Sequence, residues 1–194
     1  MSFLSELNSV QQEAVKTLNG PVMIIAGAGS GKTRVLTYRV AYLVSCGVPP
    51  YQILALTFTN KAANEMKERI VKLVGDKAKD VWMGTFHSMF ARILRKEAPL
   101  LGYTNSFTIY DSDDSQRAVR RCMEKLNLSV QQIPAQAVCS RISGAKNQLI
   151  PPAEYSSLAR DFLDEKIGLV YAEYMALLHR SNAMDFDDLL VKPI

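Results

Sequence analysis

Residues 22–33 read Val-Met-Ile-Ile-Ala-Gly-Ala-Gly-Ser-Gly-Lys-Thr, and no other stretch says as much about the fold. An apolar run (22–26) is followed by a loop of small residues and then by Lys32, where a helical pattern begins. A continuously apolar run of this length is typical of a strand buried in a parallel sheet. A strand, a glycine-rich loop and a helix in this order predict a phosphate-binding loop, or P-loop.

The P-loop pattern covers eight residues, with alanine where the first glycine is usually written. They are Ala26, Gly27, Ala28, Gly29, Ser30, Gly31, Lys32 and Thr33. Small residues let the backbone wrap a phosphate, so that several N–H groups point at its oxygens. We expect Lys32 to place its charge on the β- and γ-phosphates and the Thr33 hydroxyl to bind Mg²⁺. The loop indicates a nucleoside triphosphate but not the reaction that uses it.

Two further strands and two helices follow the loop, and together they predict an open parallel sheet with right-handed crossovers. The helices are predicted over 32–45 and 60–74, and the strands over 53–57 and 81–84. After about Ser88 helical patterns dominate, over 89–100, 114–126, 135–146, 153–163 and 167–180, with one strand at 107–110. The sequence therefore predicts an α/β part up to about residue 88 and a mostly helical part after it.

Composition excludes several classes of protein. The 194 residues are 48% hydrophobic and carry a net charge of +4, which permits an anionic partner without requiring one. No apolar run approaches the roughly 18–20 residues of a membrane span. The first residues lack a secretory signal pattern, and Cys46, Cys122 and Cys139 fit neither a disulfide framework nor a zinc site. We therefore expect a soluble protein of a reducing compartment.

Gln11 allows two interpretations. Its amide offers both a donor and an acceptor, so it can pair with the edge of adenine. It also stands three residues after Asn8, the spacing of a helix-capping box. On local sequence alone the cap is favoured.

Several blocks of the sequence stand in an order that carries a family resemblance. They are residues 7–15 (with Gln11), 26–34 (the loop), 56–66 (Leu-Thr-Phe-Thr-Asn-Lys-Ala-Ala-Asn-Glu-Met), 84–88 (Gly-Thr-Phe-His-Ser) and 185–189 (Asp-Phe-Asp-Asp-Leu). In this order they resemble motifs of the UvrD/Rep/PcrA-type superfamily 1 DNA helicases. The resemblance implies a partial RecA-like P-loop NTPase sheet with a mostly helical inserted subdomain. It also favours Gln11 as an adenine contact and places Arg34 near the nucleotide.

The same resemblance implies a function and a domain organisation. Residues 1–88 would be the first part of the first RecA-like ATP-binding domain, and residues 89–194 its helical DNA-binding insert. The family uses ATP and Mg²⁺ to translocate 3′ to 5′ on single-stranded DNA and to unwind duplexes at single-strand/duplex junctions. Its Asp-Glu motif, arginine finger and second RecA-like domain are not visible in these 194 residues. We therefore expect an N-terminal fragment of a cytoplasmic, nucleoid-associated helicase, inactive without the rest of its own chain.

Five residues are candidates for contact with DNA. Because ligands gather at the carboxyl edge of a parallel sheet, the residues that follow its strands are the natural candidates. Phe58 can stack on a base, while Thr59, Asn60 and Lys61 open a helix whose N–H groups can bind a phosphate. His87 follows the next strand. The alternatives are a core position for Phe58, a plain cap for Thr59, a solvated Lys61 and a structural His87.

Other residues in the helical part allow weaker hypotheses. Two basic trios could follow a DNA backbone or simply be solvated: Arg92, Arg95 and Lys96, and Arg117, Arg120 and Arg121. Five apolar and aromatic residues favour core or interdomain packing: Leu158, Phe162, Leu163, Tyr171 and Tyr174.

Two rival functions remain open at this point. A small P-loop kinase would use Asp111, after the strand at 107–110, as a Walker B carboxylate. That hypothesis leaves residues 56–66 and 84–88 unexplained, and Asp111, Asp113 and Asp114 fit the start of a helix better. A non-catalytic single-stranded DNA-binding module is the second rival.

Overall fold

The computed structural model describes residues 2–131 and 133–194. The chain divides into two compact units, one ending at Met89 and one beginning at Phe90. Both are mixed α/β, mostly helical, with short parallel strands. Among the described residues no helix is long and apolar enough to cross a membrane.

The described part of the first unit alternates helices with two strands. Its elements are α1 (Ser9–Lys16), α2 (Lys32–Ser45), β1 (Leu54–Thr57), α3 (Asn60–Val74), β2 (Trp82–Thr85) and the start of α4 (Phe86–Glu97). The two strands pair in parallel, from Leu54 opposite Trp82 to Thr57 opposite Thr85. This confirms the parallel pairing predicted for the strands at 53–57 and 81–84.

The helices α2 and α3 have the bounds that the sequence predicts, because local signals define their ends. Gly31, in the left-handed region, precedes α2. The Thr59 hydroxyl caps α3 by accepting a hydrogen bond from the backbone N–H of Ala62 (3.2 Å). At the other end Gly75 has φ +63°, a conformation that glycine adopts without strain. The buried face of α3, with Met66 and Ile70, packs in a cluster with residues that flank β1 and β2.

The predicted strand over 22–26 is wrong for this structure. Residues 22–26 have no strand assignment, and Met23 and Ile25 are 85% and 89% exposed. A strand forms only where a neighbour takes up its backbone hydrogen bonds. Within the described residues, β1 and β2 pair with each other, and no strand pairs with 22–26. Residues 22–26 therefore have the composition of a strand but lack a neighbouring strand to pair with among the described residues.

The described part of the second unit packs helices around a second parallel pair of strands. After α4 its elements are β3 (Thr108–Tyr110), α5 (Ser112–Lys125), α6 (Ala135–Asn147), α7 (Pro152–Ser157), α8 (Phe162–Arg180), β4 (Ala183–Asp185) and α9 (Phe186–Val191). Tyr110 of β3 lies opposite Asp185 of β4. The sequence misses β4, because Ala-Met-Asp is short and has no β-branched residue.

The helix predicted over 153–163 is confirmed only up to Ser157. The chain ends α7 at Ser157 and begins α8 at Phe162, so two helices stand where one is predicted. The side chain of Asp161 starts α8 by accepting a hydrogen bond from the Asp164 N–H (2.8 Å). An aspartate in this position is a capping signal that the apolar period obscures.

Core positions in the second unit follow the sequence only in part. Tyr171 and Tyr174 are buried in its main cluster, as predicted. Leu158, Phe162 and Leu163 are exposed instead. Since Phe162 is the first residue of α8, its side chain extends from the helix end, where few neighbouring residues cover it.

A buried charge network holds α6, α8 and α9 together. The Lys146 ammonium lies 2.7 Å from Asp185 Oδ2 and 2.9 Å from Asp188 Oδ1. The Tyr174 hydroxyl donates a further hydrogen bond to Asp185 Oδ2 (2.9 Å). Burial opposes the charge of Lys146, but the two carboxylates outweigh that effect and raise its pKa above the usual value. The network therefore pairs the buried Lys146 with two carboxylates, and Lys192 lies 4.0 Å from Asp188 Oδ1 at its edge.

Candidate functional site

The glycine-rich loop forms a compact turn that ends on the first residue of α2. Gly29 and Gly31 have φ of +74° and +87°, in the region that favours glycine. The Ser30 hydroxyl donates a hydrogen bond to the Gly27 carbonyl (2.7 Å). The predicted loop into a helix N-terminus is thus confirmed as a backbone geometry, and backbone N–H groups at a helix start are a favourable place for a phosphate.

Lys32 turns back onto the loop. Its ammonium donates hydrogen bonds to the carbonyls of Ala26 (2.8 Å) and Gly27 (2.7 Å). The charge therefore lies at the loop, where the P-loop pattern places it. A phosphate that contacts Lys32 has to compete with these two carbonyls for the ammonium hydrogens.

Thr33 is exposed beside Lys32 in the first turn of α2. Its hydroxyl is a hard oxygen donor of the kind that Mg²⁺ accepts. The residue type and its exposure at the loop fit a magnesium ligand. Among the described residues no group of three or more His, Cys, Asp or Glu side chains is placed to hold a metal by itself.

Gln11 completes the capping box of α1, in which Asn8 is the N-cap, and contacts the loop at the same time. Its N–H donates to Asn8 Oδ1 (2.9 Å), and its own Oε1 accepts from the Asn8 N–H (3.2 Å). The capping box is therefore confirmed. Its Nε2 donates to the Ser30 carbonyl (3.1 Å), which brings the amide beside the loop. A contact between Gln11 and adenine stays a prediction.

Arg34 points towards two residues that sequence reasoning misses. Its Nη2 donates to Oε2 of Glu6 (3.0 Å), and the Tyr38 hydroxyl donates to the same oxygen. These hydrogen bonds, from Tyr38 first and then from Arg34, hold the pKa of Glu6 below its usual value. Tyr38 stands four residues after Arg34, on the same face of α2, and that spacing is the signal that could have identified it.

The carboxyl ends of β1 and β2 form a second part of the site. Phe58 follows β1 and Phe86 follows β2, and their ring centroids lie 5.5 Å apart. Phe58 is 89% exposed, so the alternative of a core position is wrong. Phe86, which sequence reasoning does not single out, begins α4 directly after β2. The structure therefore places an aromatic pair on this edge, with Phe58 exposed and Phe86 half-buried.

Polar candidates lie around the aromatic pair. Thr59 is the cap of α3, while Asn60 and Lys61 are exposed in its first turn. His87 is half-buried at the second position of α4. The structure brings all four to the same sheet edge, and their contact with DNA stays a prediction.

The basic residues of the second unit are mostly engaged locally. The Arg95 guanidinium lies 3.9 Å from the Phe107 ring centroid and donates to the Phe107 and Asn105 carbonyls, so its role is in packing. Arg117 pairs with Asp114 (2.7 Å). Arg120 donates to Gln116 Oε1 (3.0 Å). These contacts favour structural or solvated roles for these basic residues over a continuous row of contacts with DNA phosphates.

Asp111 caps α5. Its Oδ1 accepts a hydrogen bond from the Asp114 N–H (2.8 Å), in a full capping box. The interpretation of Asp111 to Asp114 as a helix start is confirmed. Since the Asp111 carboxylate is used in this cap, a Walker B role loses support.

The chain is similar in sequence to a family of helicases and to individual DNA helicases. A sequence model of the family described as "UvrD/REP helicase N-terminal domain" matches residues 7–194. The chain is 46% identical to the ATP-dependent DNA helicase PcrA of Bacillus subtilis over 192 residues, 98% of this chain and 26% of the relative. It is also 46% identical to PcrA of Staphylococcus aureus, over 100% of this chain and 27% of that relative. The chain thus spans about a quarter of the length of these relatives.

Proposed function

Because this chain belongs to the UvrD/REP helicase family, through its N-terminal domain, we propose that it forms the ATP-binding and DNA-contacting part of an ATP-dependent DNA helicase. The observation that carries the proposal is the loop at 26–33, with its two left-handed glycines and Lys32 at the start of α2. Residues 1–88 then belong to the first RecA-like domain, and residues 89–194 form its helical insert.

The loop end of the first unit supplies the nucleotide contacts. Backbone N–H groups of the loop hold the β- and γ-phosphates, and Lys32 exchanges its two carbonyl partners for phosphate oxygens. Thr33 contributes its hydroxyl to Mg²⁺, which neutralises developing phosphate charge when bound. Gln11 and Arg34 face the adenosine part of ATP. Both side chains lie close to Gly31. A Cβ added to Gly31 would be 3.0 Å from Gln11 Nε2 and 3.8 Å from the Arg34 Cβ.

The sheet edge supplies the contacts with single-stranded DNA. The Phe58 and Phe86 rings offer a stacking surface that accepts any base, worth about 1–3 kcal/mol per base. Thr59, Asn60 and the first turn of α3 bind a phosphate through backbone N–H groups, and Lys61 adds a positive charge. His87, on the same sheet edge, is a further contact with the DNA. From the family resemblance we further propose that the full-length helicase translocates 3′ to 5′, acts at single-strand/duplex junctions and is associated with the nucleoid.

Hydrolysis and unwinding need more of the protein than these residues. Attack on the γ-phosphate requires a residue that positions water and a cation that stabilises the transition state. The family takes these from its Asp-Glu motif, an arginine finger and a second RecA-like domain. Since this chain spans 27% of the Staphylococcus aureus relative, we propose that those parts lie elsewhere in the full-length protein and that the 194 residues alone do not unwind DNA.

Two assays on the full-length protein test the proposed function. Calorimetry should show Mg²⁺-dependent ATP binding, and single-stranded DNA should accelerate ATP hydrolysis. Absence of Mg²⁺-dependent ATP affinity would contradict the proposal. Phosphate transfer to a small molecule, unaffected by DNA, would favour the kinase alternative. DNA binding without any affinity for ATP would favour the non-catalytic module.

Phe58→Ala should weaken binding of single-stranded DNA by about 1–3 kcal/mol, roughly five- to 150-fold, because one stacking surface is lost. Fluorescence anisotropy with a labelled oligonucleotide measures the effect. ATP affinity without DNA should not change, since Phe58 follows β1 and not the loop. Phe162→Ala is the matched control, because Phe162 is also exposed (71%) but begins α8 of the second unit. Equal effects of the two substitutions would contradict a base contact at Phe58.

A further inference from the structure

A cluster of three side chains joins the N-terminal segment to the first turns of α2. Glu6 ends a 3₁₀ turn (Ser2–Glu6), and its Oε2 accepts hydrogen bonds from both Arg34 and Tyr38. The Arg34 guanidinium carbon also lies 5.3 Å from the Tyr38 ring centroid. One carboxylate and one aromatic ring therefore define where this guanidinium lies.

The packing of Tyr38 fixes one side of the surroundings of Arg34. Tyr38 is buried in a cluster with Leu7, Val15 and Val35, and its ring meets the ring of Phe3 edge to face at 6.0 Å. Because Tyr38 is packed in this way, the hydroxyl that anchors Glu6 has little freedom to move. The Arg34 and Glu6 side chains are more open, at 43% and 56% exposed.

Arg34 is also the member nearest to the loop. It follows Thr33 directly, and its Cβ and the Gln11 amide both approach Gly31. Its side chain lines an open cavity of about 480 Å³ together with Glu6, Thr37, Tyr38 and Lys72, among others. A guanidinium without a fixed partner samples many rotamers, and ordering it on a ligand costs side-chain entropy. A carboxylate that holds it in place reduces that cost before a ligand arrives.

We propose that Glu6 is a positioning residue, whose carboxylate holds the Arg34 guanidinium in place to contact the adenosine part of bound ATP. The inference rests on the proposed function of the loop, and it adds a residue that lies outside the loop and outside the Gln11 block. Glu6 acts through Arg34 and not on the phosphates. Its loss should therefore affect the adenosine end of the ligand alone.

Calorimetry on the full-length protein, with Mg²⁺·ATP and with Mg²⁺·tripolyphosphate as a ligand without adenosine, tests this assignment. Glu6→Ala should weaken ATP binding by about two- to fivefold, the range of one partly exposed charge pair. Tripolyphosphate affinity should not fall. Removal of a negative charge alone would strengthen binding of both anions, so the expected change for ATP has the opposite sign.

Three further variants make the result decisive. Glu13→Ala removes an exposed carboxylate of α1 and should weaken neither ligand. Glu6→Gln keeps an oxygen acceptor and should fold as the wild type does. Its affinity for ATP should lie between the affinities of the wild type and Glu6→Ala. In an Arg34→Ala background, Glu6→Ala should have no further effect on ATP binding, because its partner is gone.

Each contrary result has one meaning. ATP binding that is unchanged or tighter in Glu6→Ala overturns the positioning role, as does an effect of Glu6→Ala that persists without Arg34. Equal weakening of ATP and tripolyphosphate also overturns it, since Glu6 would then act on the loop. Failure of the proposed function is separate: Lys32→Ala would bind ATP as tightly as the wild type.

Discussion

Lys32→Ala in the full-length protein should lower the ATP turnover rate by about 100-fold or more, the usual cost of removing a charged group aimed at developing charge. The ammonium lies at the loop, 2.8 Å and 2.7 Å from the Ala26 and Gly27 carbonyls, and the described residues place no second lysine on that loop. Mg²⁺·ATP affinity should fall as well. Steady-state ATPase assays with saturating single-stranded DNA, together with calorimetry, measure both effects.

The control for this substitution is Lys67→Ala, on the exposed surface of α3. It removes the same charge from the same unit but away from the loop, so turnover should stay within about twofold of wild type. Circular dichroism should show unchanged helix content in both variants, since alanine is a good helix former at the start of α2. Substantial turnover by Lys32→Ala would show that the loop does not hold the reacting phosphates.

Lys146→Met should destabilise the second unit by about 3–5 kcal/mol, because it removes the buried cation from two carboxylates, and Lys192, 4.0 Å from Asp188, replaces it only in part. Lys146 is 3% exposed and contacts both Asp185 and Asp188. Urea unfolding measures the free-energy change. Hydrogen exchange of the α8 amides around Tyr174 assigns that change to the second unit.

Lys125→Met is the matched control for Lys146→Met. Lys125 also pairs with a carboxylate, Glu173 at 2.8 Å, but its side chain is 61% exposed. We expect it to cost less than about 1 kcal/mol. Adding Asp188→Asn to Lys146→Met should recover part of the lost stability, since it removes one unpaired charge. Equal losses for the two lysine substitutions would mean that the buried network contributes no more than a surface pair.

The sequence predicts the elements with local signals best. The bounds of α2 and α3 follow from a left-handed glycine, a threonine cap and a terminal glycine, all readable within a few residues. Elements that depend on distant partners are predicted worst. Residues 22–26 have the composition of a strand but no neighbour, and β4 (Ala183–Asp185) forms only because β3 lies beside it.

The candidate site divides in the same way. The loop and Lys32 are apparent from their motif, and the contact candidates after β1 and β2 follow from the rule for parallel sheets. Glu6 has no local signal, because its partner Arg34 lies 28 residues away in the sequence. The same holds for the Phe86 ring beside Phe58, which only the pairing of β1 with β2 brings near.

By itself the sequence determined the backbone of the loop and the helix that follows it, because glycine conformations and capping hydrogen bonds span only a few residues. Tertiary structure decided which side chains Lys32, Gln11 and Arg34 contact and which lysine is buried between two carboxylates. Those outcomes depend on long-range packing and desolvation, whose energies exist only after distant segments have come together.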